Sequence, residues 1–144
     1  EDLECVKNAL QEAGAEDVKL FAKIENLDGV RKLEELLPGA DEIVIARGDL
    51  GIAVHLWDLP SVQREISQKC QVTGKPFMVV TQMLASMERN PVPTRAEVND
   101  IFHAVLDGAS SVMVTGETAA GDYPVEVIRY LVNTVRSAEL VRHG

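Results

Sequence analysis

The chain is poor in aromatic residues, cysteine and positive charge, and it has no long apolar run. Phe, Trp and Tyr make up 4% of its 144 residues, so a core must be assembled from Val, Leu, Ile and Ala. Its two cysteines, Cys5 and Cys70, stand without a CxxC pair or a histidine at ligand spacing. That excludes a disulfide scaffold and a thiolate metal cluster, and it reads as free thiols on helices in a reducing compartment. No apolar stretch approaches the ~18–20 residues of a membrane span, and no signal-peptide pattern stands at the start. A cytoplasmic location is the expectation. With 14 basic residues against 23 acidic ones, the net charge is −9. Such a balance repels phosphate backbones and anionic lipid, so neither nucleic acid nor a membrane surface is expected as a partner. A small anionic substrate remains open, provided that a metal or local lysines offset the background.

What is present is the material of an ordinary globular protein. The hydrophobic fraction is 46%, and the length suits a single domain over residues 1–144. Residues 2–13 place Leu3, Val6, Leu10 and Ala13 at helical spacing. Four strand-then-helix cycles follow. Residues 18–25 predict a first strand, and a helix from about Asp28 carries Val30, Leu33 and Leu37 until Pro38-Gly39 stops it. Residues 42–47 predict a second strand. The helix after it begins near Pro60, turns Leu59, Val62, Ile66 and Cys70 inward, and ends at Gly74. A third strand is expected over 77–81. Thr94-Arg95-Ala96-Glu97 reads as a capping box, opening a helix striped with Val98, Ile101, Phe102, Val105 and Leu106. A fourth strand is expected over 111–115. Pro124 then starts a last helix, with Val125, Ile128, Leu131, Val132 and Val135 facing in.

Strands alternating with helices predict an α/β fold with a parallel sheet and right-handed crossovers. Lys23 and Glu25, Arg47-Gly48-Asp49, Thr81-Gln82 and Thr115-Gly116-Glu117 all fall at or just after the C-terminal ends of strands. An open sheet uses one or two strand ends for its ligand crevice, whereas a barrel gathers its site from many. A full (β/α)8 barrel takes about 250 residues and eight strands, so four strands predict half of a TIM barrel.

Lys23 and Glu25 are two apart on a strand and therefore share a face. They form either an internal ion pair on an edge strand or a lysine facing an anion beside a metal-binding carboxylate. In "ARGDLG" (46–51), glycines flank Asp49. The stretch reads either as a plain turn or as a place where backbone N–H groups meet an anion while Asp49 takes a hard cation. Glu25 and Asp49 together offer the one or two carboxylates that Mg²⁺ usually takes from a protein. Thr81 is either structural or a hydroxyl for a substrate carboxylate or a proton relay. "TGET" and "GDY" read as connecting turns. Of the histidines, His103 is expected to pack beside the apolar stripe of its helix, His55 lies apart, and His143 falls in the C-terminal tail.

With these residues assembled, the chain resembles the pyruvate kinase family. The resemblance rests on "AKIENLDGV" (22–30), "ARGDLG" (46–51), "GKPFMVVTQMLASM" (74–87), "NPVPTRAEVNDIFHAVLDGA" (90–109) and "TGETAAGDYPVEV" (115–127), in the family's order and spacing. It implies strands five to eight of the catalytic barrel, with the first barrel half, the lid domain and the C-terminal domain outside this sequence. It implies that Lys23 neutralises a transferring phosphoryl group and a developing enolate. It further implies that Glu25 and Asp49 ligate Mg²⁺ or Mn²⁺, and that Gly48, Asp49 and Thr81 hold the substrate carboxylate. The substrates would be phosphoenolpyruvate and ADP, the products pyruvate and ATP, with K⁺ bound through residues absent here. Three stretches depart from the family pattern: Ala53 stands where a glutamate is common, "VHLWDLP" replaces an "IPAEKV" type of segment, and "VTGET" replaces "LSGET". Two other functions fit the strand-end carboxylates: a metal-dependent lyase or aldolase acting on pyruvate enolate, and a non-catalytic half-barrel used for association. A half-barrel is expected to be inactive alone and to cover its open edges by self-association or with the rest of a barrel.

Overall fold

The computed structural model describes residues 2–143. The chain divides into two compact units, Glu1–Met78 and Val79–Gly144, and the boundary runs through the third strand.

In the first unit, helix α1 (Asp2–Glu12) precedes strand β1 (Phe21–Ile24). β1 is shorter than the expected 18–25. Its parallel ladder with β2 (Glu42–Ala46) begins at Phe21↔Glu42 and ends at Ile24↔Ile45. Before that start, the chain is tied to the turn ahead of β2. The Leu20 N–H donates to the Asp41 carboxylate at 2.6 Å, and the Asp41 N–H donates back to the Leu20 carbonyl at 2.8 Å. Ala22 and Ile24 are buried while Phe21 and Lys23 are exposed, the alternation of a strand with one covered face. β2 buries Ile43, Val44, Ile45 and Ala46 in succession, as a strand covered on both sides does.

The helix expected from Asp28 to Pro38 is broken into α2 (Leu27–Arg31) and α3 (Leu33–Leu36). Asn26 caps α2 by accepting the Gly29 N–H at 2.8 Å. Lys32, at φ −94° and ψ 13°, ends one helix and starts the next. β2 gives way at Arg47 to a short helix, α4 (Arg47–Ala53), so the "RGDLG" of that motif is helical and not a glycine turn. Among the described glycines only Gly14, Gly74 and Gly108 have positive φ; Gly48 and Gly51 are therefore not there for turn angles. Helix α5 (Leu59–Thr73) buries Ile66, Ser67 and Cys70 and stops, as its sequence predicts, at Gly74 in the left-handed conformation. At its far edge β2 meets the start of β3 (Phe77–Val80), where the Ile43 N–H donates to the Pro76 carbonyl.

In the second unit, the end of β3 neighbours β4 (Ser111–Met113) in the sheet order. A 3-10 turn at Ala85–Glu88 follows β3, and helix α6 (Arg95–Leu106) opens on the expected capping box. Thr94 accepts the Glu97 N–H while the Glu97 carboxylate accepts the Thr94 N–H at 2.8 Å. α6 buries Ile101, Ala104 and Val105. His103 is exposed on α6, where its ring meets the edge of Phe102 with centroids 6.0 Å apart and its Nδ1 is hydrogen-bonded to the Asn99 carbonyl. "TGET" is likewise not a mere turn: it forms the short helix α7 (Gly116–Ala119).

The last helix, α8 (Pro124–His143), begins where expected and takes in His143, but it faces differently. Val127, Leu131, Thr134 and Ala138 are buried, whereas Val125, Ile128 and Val132 are exposed. Both sets recur at helical spacing, so the helix carries two apolar stripes. α8 packs against α6 and α7, and the stripe it buries is the one with smaller residues at 134 and 138. The one hydroxyl buried there is satisfied, since Thr134 donates to the Tyr130 carbonyl at 2.8 Å.

Candidate active site

The C-terminal end of β1 carries the charged pair singled out in the sequence. Strand alternation puts Lys23 and Glu25 on one side, away from buried Ala22 and Ile24. The Lys23 ammonium lies 2.8 Å from a Glu25 carboxylate oxygen and 3.4 Å from an Asp49 oxygen. Register explains the second contact: Lys23 lies beside Val44 on β2, and Asp49 sits in the first turn of the helix that β2 runs into. Their side chains keep 55%, 43% and 58% of their surface in water, so the charges are accessible and not locked in a core. Such exposed pairs add little stability. What they do is hold three charged groups at one point.

The hydrogen bond that Lys23 donates to Glu25, then the Glu25 charge, and more weakly Asp49 raise the Lys23 ammonium above its ordinary value. Lys23 is therefore a fixed cation throughout the neutral range. An ammonium has three N–H donors, and the two carboxylates account for two of them. Gly48 and Asp49 lie in the first turn of α4, whose N-cap, Ala46, offers no side-chain acceptor. Backbone N–H groups in a helix's first turn have no partner within the helix.

Thr81 belongs to the second unit. It is half-buried and stands at φ +80°, followed by Gln82 at +54°. A β-branched residue in that region is strained, at a cost of about 1–3 kcal/mol, and such strain concentrates where structure serves function. Glu117 lies in the same unit at 2% exposure, a buried carboxylate that sequence reading placed in a connecting turn. Its sequence signal was the "GET" that follows a strand end; its burial was not visible because its partners are backbone amides. Glu97 was recognised only as a cap. Burial would raise its pKa, but hydrogen bonds from Ser86 and Thr94 outweigh that and lower it, so it stays ionised.

The Lys23 cluster fits a divalent cation of one kind. Among the described residues no group of three or more His, Cys, Asp or Glu side chains could enclose a metal, so a closed protein cage does not fit. Two carboxylates gathered beside one lysine match in number and kind the protein ligands of Mg²⁺ or Mn²⁺, hard ions that keep waters and complete their shell with substrate oxygens.

A model of the pyruvate kinase barrel domain matches residues 1–128. The chain belongs to the pyruvate kinase family. It is 44% identical over 139 residues to a pyruvate kinase of Bacillus licheniformis, covering 96% of this chain and 24% of that protein. A pyruvate kinase of Dictyostelium discoideum is 45% identical over 141 residues, which is 98% of this chain and 28% of the relative. Pyruvate kinase 2 of Saccharomyces cerevisiae is 46% identical over 139 residues, 96% of this chain and 27% of the relative. The chain thus spans about a quarter of the length of the relatives it matches. Family membership agrees with the observed mixture of helices and parallel strands and with the resemblance read from the motifs. No helix among the described residues is long and apolar enough to cross a membrane.

Proposed function

We propose that this chain is half of a pyruvate kinase catalytic barrel and supplies the metal-and-phosphate side of its active site. The observation that carries the proposal is the convergence of Glu25 and Asp49 on the Lys23 ammonium. In the complete enzyme the reaction moves a phosphoryl group from phosphoenolpyruvate to ADP, giving ATP. The enolate left behind takes a proton at its methylene carbon and becomes pyruvate, the closing step of glycolysis in the cytoplasm.

Such transfer depends on positioning and charge neutralisation more than on covalent help from the protein. Lys23 lends its remaining N–H donor and its fixed charge to the phosphoryl oxygen and to the enolate oxygen. Glu25 and Asp49 hold Mg²⁺ or Mn²⁺, which when bound supplies positive charge against the substrate's oxygens. The N–H groups of Gly48 and Asp49 receive the substrate carboxylate. Thr81 is assigned to the same carboxylate, and to the proton path, by the motif it occupies. The monovalent cation, K⁺, and most nucleotide contacts fall to residues outside this sequence. The chain alone is therefore inactive, and it associates with itself or with the rest of the barrel.

Two measurements test this. In the protein of full family length that contains this segment, Lys23→Met is expected to lower pyruvate formation by about 10²–10³-fold or more. Mn²⁺ binding followed by electron paramagnetic resonance, with oxalate as an enolate mimic, is expected to weaken at least tenfold in Glu25→Gln and in Asp49→Asn. Turnover of Lys23→Met within a factor of two of the unaltered protein, or Mn²⁺ binding indifferent to both carboxylates, would remove the assignment.

A further inference from the structure

The second unit contains a carboxylate that the proposed chemistry leaves unused. Glu117, 2% exposed, accepts the Thr115 N–H at 2.8 Å through Oε2 and the Leu84 N–H at 3.3 Å through Oε1. One buried carboxylate therefore joins the segment leaving β4 to the segment leaving β3. Leu84 lies three residues beyond Thr81, and the backbone between them passes through the left-handed region at Thr81 and Gln82. That conformation persists only where the chain is fixed on both sides of it. Ahead of Thr81, Val79 and Val80 are buried in β3. Behind it, Met83 and Leu84 are fully buried, and Glu117 holds the amide of the latter.

The next turn is anchored in the same manner. The Glu97 carboxylate accepts the Ser86 N–H at 2.7 Å and the Ser86 hydroxyl at 2.6 Å, and the Glu88 carbonyl accepts the Asp122 N–H at 2.9 Å. Glycines keep α7 close enough for this. A Cβ on Gly116 would stand 2.6 Å from a Glu88 carboxylate oxygen, and one on Gly121, just past α7, would stand 3.1 Å from the Glu88 Cα.

We propose that Glu117 is a positioning residue for Thr81: by holding the Leu84 amide it keeps the strained turn at Thr81-Gln82 in the one conformation that presents the hydroxyl. The inference rests on the role given to Thr81 above. Glutamine would not serve. A carboxylate offers two acceptors to two N–H donors, whereas a carboxamide offers one oxygen and turns an N–H towards the other donor.

The test is a double-mutant cycle on kcat in the full-length protein that contains this segment, with Thr81→Val, Thr81→Ser and Glu117→Gln. Thr81→Val removes the hydroxyl and is expected to lower kcat at least tenfold. Glu117→Gln is expected to lower kcat about 10–100-fold with the KM for ADP unchanged, the scale of a reacting group displaced by about 1 Å. Added to Thr81→Val it should cost less than twofold more; added to Thr81→Ser, which keeps the hydroxyl, it should cost its full amount. Losses that multiply in the Thr81→Val background overturn the proposal, because Glu117 would then act by another route. So does Glu117→Gln at the unaltered rate beside an impaired Thr81→Val. If Thr81→Val itself works at the unaltered rate, the role of Thr81 fails first and the positioning role fails with it. Where Glu117→Gln does not fold by circular dichroism, Glu117→Asp takes its place in the same cycle. It keeps the charge but is too short to hold both amides.

Discussion

Two thiols in the chain meet opposite surroundings. Cys5 is exposed on α1, while Cys70 is on the buried side of α5. Burial pushes the Cys70 thiol up to about 11, against a smaller opposing effect of the Lys75 charge. The thiolate is the reactive form. Iodoacetamide at pH 8, read by peptide mass spectrometry, should therefore label Cys5 rapidly and leave Cys70 unmodified until denaturant is added. Comparable labelling of both in the native protein would contradict the burial. The linkage sign follows from the same shift: the fold favours the protonated thiol, so its contribution is complete below the unfolded thiol value and is lost as pH rises towards 11. At this scale the sequence was most legible where side chains obey a period. Lys23 and Glu25 share a face because a strand alternates, and nothing else is needed to foresee it. Glu117 was illegible for the converse reason: a charged residue is expected outside, and the amides that hold it inside have no side-chain letter.

Among the helices, α8 shows where hydrophobic pattern stops deciding. Val125, Ile128 and Val132 make as good a stripe as Val127, Leu131, Thr134 and Ala138, and only the packing partner chooses between them. α6 gave no such choice, since its capping box fixed the start and one side was apolar. Between β2 and α5 the flanking glycines of Asp49 suggested a turn, but helical hydrogen bonding carried the chain on through Ala53. Leu131→Ala should destabilise by about 2–5 kcal/mol in thermal or urea unfolding, the usual cost of a buried leucine. Ile128→Ala, on the exposed stripe, should cost under about 1 kcal/mol. Equal losses would mean that the second stripe is also covered in solution.

The sheet order gives β1 one neighbour, β2, and β4 one neighbour, β3. Strands with unpaired N–H and C=O groups along one side invite pairing with another chain, and a closed barrel removes that liability. The first unit also leaves Ile52, Leu56 and Trp57 at 87%, 71% and 76% exposure. Self-repulsion at a net charge of −9 opposes association, so salt should favour it by screening. Light scattering on the 144-residue chain is expected to give a mass above the 15.7 kDa of one copy, rising with ionic strength. Phosphoenolpyruvate-dependent turnover by the same sample is expected to be undetectable if, as proposed, the nucleotide and K⁺ contacts come from residues outside it. A monodisperse monomer that unfolds cooperatively and turns over at the rate of the full-length relatives would sink the half-barrel reading. An associated but inactive chain is the result expected of a half-barrel whose proposed site is completed by residues from elsewhere.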